Sequence, residues 1–169
     1  MLPTKVMWKG FAHMSESRRR AIRGLKAGDS FEITRTFTHE ETAAFGALTR
    51  DYNPVHYEPR FAQEKGFSGI VIHGLLTGSM ICEVGGQIAW LATGMNFHFR
   101  RPVYPGDSVA CHLVIAEIDE RGRARANATF TNQDGVQVAT AELTGYLPTG
   151  RSRDILADMV AEGDPTNPI

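Results

Sequence analysis

The segment GIVIHGLLTGSMICEVGGQIAWL, residues 69–91, constrains this chain more than any other. From Leu75 to Val84 its residues are apolar or small at almost every position, so a helix formed there has no polar face to turn toward water and should be buried. Gly85-Gly86 is its expected end. The cover for such a helix is written around it. TGMNFHFRRPV (93–103) has period two and meets a turn at YPGD (104–107). SVACHLVIAEI (108–118) is nearly continuously apolar, as in a central strand. DERG (119–122) then turns into RARANATFTN (123–132), and QDG (133–135) into VQVATAELTGYL (136–147), with Asp134-Gly135 a strong hairpin signal. Upstream, GDSFEITRTF alternates Phe31, Ile33, Arg35 and Phe37, again a strand. These patterns predict an α+β domain: one antiparallel sheet, its last four strands in a meander, wrapped round one buried helix.

Between the first strand and the buried helix, Thr38 and Glu41 form a capping box for a helix over about 39–50, with Phe45 and Leu48 on one face. A short helix fits PRFAQEK (59–65), with Pro59 in its first turn and Gly66 as its stop. The domain therefore covers 28–148, flanked by a basic extension, 1–27, and a C-terminal helix with a mobile Pro/Asn tail, 149–169. SESRRRAIRGLKAG (15–28) reads as a basic amphipathic helix packed on the domain or on a partner subunit, the alternative being an Arg-rich transit peptide.

At 169 residues the chain can bury a core without a metal or disulfide staple. A net charge of −1 gives no electrostatic reason to expect nucleic acid or an anionic membrane surface as partner. No apolar run approaches the ~18 residues of a membrane span. Cys82 and Cys111 read as small buried thiols of a reducing compartment, which points to the cytoplasm.

TRDYNPVHYEP (49–59) carries the chemistry. Asp51 and His56 are five apart and cannot share a helix face. Pro54 stops the helix at about Arg50 or Asp51 and lets the chain fold back, so both side chains can aim into one pocket. Asp-x-Asn-Pro is also a common turn initiator, and the residues alone leave both readings open. His73-Gly74 opens the buried helix, where free N–H groups would stabilise a developing oxyanion; the plainer reading of Gly74 is a tight helix entry. His73 reads as a hydrogen-bonded structural histidine. The six histidines (13, 39, 56, 73, 98 and 112) show no metal-ligand spacing, and no metal is expected.

RDYNPVHYEPRFAQEKGFSGIVIHGLLTGSM resembles the hydratase motif of MaoC-like dehydratases and (R)-specific enoyl-CoA hydratases of the hot-dog fold. Their pattern, Asp-x-Asn-Pro-x-His-x-Asp/Glu followed after a spacer by His-Gly, is matched by Asp51, Asn53, Pro54, His56, Glu58 and His73-Gly74. FHFRRPVYPGDSV and TNQDGVQVATAEL are similar to later family segments, so the resemblance spans about 28–148. It implies reversible syn addition of water across a trans-2-enoyl thioester carried by CoA or acyl carrier protein, with no separate cofactor. Asp51 and His56 would be the acid–base pair and the Gly74 N–H the oxyanion donor. Asn53 would fix the loop, His73 would support the site, and Cys82 would stand where some relatives carry a serine near the pair. Arg100 and Arg101 are candidates for the CoA phosphates. Glu58 is expected as a helix-start or salt-bridge carboxylate. The resemblance also implies a homodimer or higher homo-oligomer, which the exposed sheet edge supports. The small residues Ala139, Ala141 and Gly145 either deepen an acyl pocket or allow close packing. Two other readings compete: a hot-dog thioesterase using Glu83, and a non-catalytic acyl-binding subunit, which would need neither Asp51 nor His56.

Overall fold

The computed structural model describes residues 11–164 and residue 166, with side chains from Glu16 onward. Residues 1–10 of the basic extension, and residues 165 and 167–169 of the expected Pro/Asn tail, lie outside the described residues. The elements in chain order are α1 (Phe11–Arg23), β1 (Ser30–Thr36), α2 (His39–Thr49), a 3-10 turn (Pro54–His56), α3 (Pro59–Glu64), α4 (Gly74–Gly78) and α5 (Met80–Gln87). There follow β2 (Leu91–Phe99), β3 (Ser108–Ile118), β4 (Arg123–Asn132), β5 (Gln137–Tyr146) and α6 (Arg151–Ala161). α2 begins on the expected capping box: the Glu41 N–H donates to Thr38 Oγ1 at 3.2 Å, and the Thr38 N–H to Glu41 Oε2 at 3.0 Å. Its buried stripe is Thr42 and Gly46 with Phe45 half-covered; Leu48, expected on that face, is exposed.

The sheet is antiparallel in the order β1-β3-β4-β5-β2. This corrects the simple meander. β3, β4 and β5 are joined by tight turns, but β2 crosses to the far edge and pairs with β5. The segment leaving β2, RRPVYPGD, carries Pro102 and Pro105 and lacks the short-hairpin chemistry of DERG and QDG. The inner face alternates cleanly: Val109, Cys111, Leu113 and Ile115 on β3, and Ala124, Ala126, Ala128 and Phe130 on β4, are all buried. α5 packs against β1 and β3. Met80, Val84 and Ile88 fill that contact, each contributing about 1.5–3 kcal/mol by burial.

The central helix departs from expectation in three ways. It is divided at Ser79, whose hydroxyl donates to the Leu76 carbonyl at 2.6 Å. It continues through Gly85-Gly86 to Gln87. It is also not covered all round: Leu75, Cys82 and Gly86 are exposed and Ser79 half-buried, a stripe at helical spacing. Cys82 is therefore not the buried thiol expected, whereas Cys111 is buried and its thiol is pushed up to about 12, by burial first and the Glu83 and Glu32 charges second. Facing the stripe, Met95 and Phe99 of β2 are also exposed. The small residues of β5 divide: Ala139 lines a cavity, while Gly145 gives room to the Trp90 ring.

The flanking helices share one anchor. α1 packs on both α5 and α6. Arg18 is buried there. Its Nη2 donates to the Gly86 carbonyl at 2.7 Å and its Nε to the Gln87 carbonyl at 3.3 Å, capping the C-terminal end of α5. Its Nη1 pairs with the buried Asp164 and donates to Thr166 Oγ1 at 3.2 Å. Burial raises the Asp164 carboxyl, but hydrogen bonds from Thr166 and Arg18 outweigh it and hold the group below its ordinary value. Arg18→Met strands a buried carboxylate and costs about 3 kcal/mol, a fall of about 6–12 °C in Tm. Calorimetry checks this; a shift under about 2 °C contradicts it.

Candidate active site

α2 ends at Arg50, which takes the left-handed conformation (φ 60°) and turns the chain. Asp51 Oδ1 then accepts the Asn53 N–H at 3.2 Å, and Asn53 Oδ1 the Val55 N–H at 3.3 Å. Asn53 is extended (φ −55°, ψ 124°), as Pro54 demands, and caps the 3-10 turn that carries His56. The turn-initiator reading is therefore correct, and it does not keep the two side chains from approaching each other. The same turn brings His56 Nε2 to 4.0 Å from Asp51 Oδ2.

His56 is buried, and its Nδ1 lies 2.7 Å from the Val71 carbonyl. A carbonyl only accepts, so Nδ1 carries a proton, and in the neutral ring Nε2 keeps its lone pair toward Asp51. Burial, chiefly, lowers the His56 pKa from 6.5; the Val71 bond and the Asp51 charge oppose this, and His73 reinforces it. His73, almost wholly buried, donates from Nε2 to the Asp51 carbonyl at 3.1 Å, the structural bond expected of it. Its Nδ1 finds no partner among the described residues. The two imidazoles stack, centroids 3.8 Å apart and planes 26° from parallel.

Asp51, His56 and His73 together have the composition of a metal triad. One donor atom of each lies within 4.8 Å of the others, so spacing along the sequence did not reveal this cluster. His73 Nε2 is already engaged with the Asp51 carbonyl, a bond that an ion taking that nitrogen would have to displace.

Gly74 is the first residue of α4, and His73 before it is extended (φ −56°, ψ 130°). The Phe99 ring lies against Gly74, where a Cβ would stand 3.0 Å from it. Gly74 and His56 line one cavity of about 350 Å³, with Thr77, Val138 and Ala139 among its walls and Arg100 and Arg101 at its exposed rim. The backbone N–H groups of both arginines hold the Val138 carbonyl, leaving their side chains to the rim. Cys82 does not join this group within the chain. It lines a second apolar cavity of about 210 Å³ between α5 and β2. Glu58 takes both expected parts: it caps α3 by accepting the Arg60 N–H and pairs with the Arg60 side chain, which brings its carboxyl to about 2. Sequence reasoning missed Thr77, whose buried hydroxyl has no partner among the described residues, and Tyr57, whose hydroxyl reaches the Asp51 carbonyl. Neither residue type signals such a contact by spacing alone.

An antiparallel sheet wrapped round a helix, with a carboxylate–imidazole pair at the helix entrance, is the layout of hot-dog enzymes of the hydratase and dehydratase class, and this protein is one. The chain belongs to the MaoC-like domain family, whose model matches residues 25–137. It is 29% identical over 130 residues to a mitochondrial 3-hydroxyacyl-(acyl-carrier-protein) dehydratase of Arabidopsis thaliana, covering 73% of this chain and 78% of that one. It is 28% identical over 133 residues to an (R)-specific enoyl-CoA hydratase of Aeromonas caviae, covering 76% and 99%. The solved structure of an (R)-hydratase from A. caviae superposes with a TM-score of 0.69 at 29% identity, over 75% of this chain and 99% of that one. That of an R-hydratase from Pseudomonas aeruginosa gives 0.69 at 27%, over 76% and 86%.

Proposed function

We propose that the protein adds water reversibly across a trans-2-enoyl thioester to give the (R)-3-hydroxyacyl thioester. The observation that carries this is the 4.0 Å gap between His56 Nε2 and Asp51 Oδ2, with His56 on the wall of the cavity that Gly74 also lines. One water placed about 2.8 Å from each group spans that gap. His56 Nε2 takes a proton from the water as its oxygen bonds to C3. The C2–C3 π pair shifts to C1–C2 and the carbonyl π pair moves onto the thioester oxygen, where the Gly74 N–H stabilises the enolate. The pair then returns a proton to C2 and the carbonyl re-forms. The α4 segment has only five residues, so the local N–H, not a long helix dipole, supplies the stabilisation. Arg100 and Arg101 are placed for phosphates of CoA or of a carrier's prosthetic arm. No separate cofactor is required.

The exposed stripe on α4 and α5, with β2 as an unpaired edge presenting Met95 and Phe99, fits a homodimer built across that face. Among the described residues no helix is long and apolar enough to cross a membrane. Two free cysteines fit a reducing compartment such as the cytoplasm. The thioesterase reading is less well supported: Glu83 lies near enough to Cys111 to help raise its pKa, whereas Asp51 is the carboxylate found beside an imidazole.

Incubation with crotonyl-CoA and longer enoyl thioesters tests the proposal, with loss of the enoyl absorbance and an (R)-alcohol expected. Release of free thiol without hydration contradicts it. The acid limb is a second check. Because His56 must be neutral to act, and burial lowers its pKa, kcat/KM should hold through neutrality and fall only below about pH 6.5, the ordinary imidazole value. The same depression makes the unfolded state bind the proton first, so the His56 contribution to stability is present above about pH 6.5 and is lost as pH falls toward the folded pKa.

A further inference from the structure

We propose that Tyr57 is a positioning residue of this site: its hydroxyl, donated to the Asp51 carbonyl, holds the Asp51 carboxylate at the distance from His56 that one water spans. This rests on the hydratase reading and adds to it a residue outside the family's motif positions. The Asp51 side chain is half exposed, and the Asn53 N–H that its Oδ1 accepts at 3.2 Å comes from its own turn. Its backbone is held more firmly. The Asp51 carbonyl accepts from Tyr57 Oη at 3.1 Å and from His73 Nε2 at 3.1 Å, so both lone pairs are used.

Gly46 gives the second, independent observation. It sits buried within α2 at an ordinary helical φ, where glycine costs about 1 kcal/mol relative to alanine and no conformational need explains it. What explains it is space: a Cβ there would overlap the Tyr57 hydroxyl and stand 3.1 Å from the Asp51 carbonyl oxygen. The helix gives up stability to admit one phenol. The Tyr57 ring stands edge-on to His56 (89°) and tilted at 69° to His73, so the residues that form the site also orient the ring. Burial, then the neighbouring Tyr52 and Asp51, raise the Tyr57 pKa, so the hydroxyl remains a donor across the working pH range.

Tyr57→Phe removes one hydroxyl from a partly exposed ring and should leave the fold intact. kcat for hydration should fall about tenfold with KM changed less than about twofold, because a displaced carboxylate weakens the chemical step and not thioester binding. The His56 ring titration, followed by NMR without substrate, should move to lower pH, since the Asp51 charge that supports the imidazolium is less well placed. Gly46→Ala should reproduce the kcat loss by pushing the phenol out, and adding it to Tyr57→Phe should cost little more. A Tyr57→Phe enzyme with wild-type kcat and an unmoved His56 titration overturns the proposal. So does a lower Tm with kcat retained, or a Gly46→Ala effect that multiplies fully with Tyr57→Phe. The NMR readout needs no turnover, so it separates failure of this inference from failure of the hydratase reading.

Discussion

His56→Ala lowers kcat/KM for enoyl-thioester hydration by about 10²–10⁴-fold, and Asp51→Asn falls in the same range. The size follows from what each variant removes. His56 is buried with its Nδ1 proton fixed on the Val71 carbonyl, so its Nε2 is the one nitrogen free to take the proton of an attacking water. Alanine leaves that water with no base. Asparagine at 51 is nearly isosteric and still accepts the Asn53 N–H, so the turn survives. What is lost is the charge that stabilises the imidazolium 4.0 Å away. Under the proposed mechanism the two residues act on one water, so the double variant should be little worse than the poorer single one. Equal, independent losses that multiply would mean that the two serve separate steps. Steady-state kinetics on the three variants, with Tm measured alongside, decides this.

Gly74→Pro lowers kcat by about 10²–10³-fold while Gly74→Ala does far less. Proline is suited to the first position of a helix, and His73 before it already has the extended backbone that a following proline requires (φ −56°, ψ 130°). The substitution thus deletes the N–H without breaking the local fold. Both variants add a Cβ about 3.0 Å from the Phe99 ring, which is half exposed and can swing outward. The difference between the two isolates the donor. If alanine and proline lose kcat equally, crowding by Phe99 is the cause and Gly74 is not the oxyanion site.

Much of this architecture was readable from residue order because its signals are local. The capping box at Thr38 and Glu41, the Asp134-Gly135 hairpin and the period-two strands depend on neighbours within a few residues, and all appear. The strand order did not follow, because β2 joins β5 across three intervening turns and nothing in either strand names its partner. Leu48 and Cys82 misled for one physical reason: an apolar residue is consistent with a core and equally with a face that another surface covers. The Asp51–His56 pairing was half readable. Pro54 permits it, but the Val71 carbonyl that sets the His56 tautomer and the His73 donor on Asp51 come from tertiary contacts. Gly46 was silent, since a glycine in a helical pattern does not say which side chain needs its space.

The most direct test of the account is hydration of crotonyl-CoA by the wild-type protein in D₂O, with the product read by proton NMR and chiral analysis. A single acid–base pair on one face of the double bond must deliver hydroxyl and hydron to that same face. The account predicts one deuterium at C2, syn to the C3 hydroxyl, in an (R)-3-hydroxybutyryl thioester with no free CoA. An anti product, the (S)-alcohol, or hydrolysis in place of hydration would contradict it.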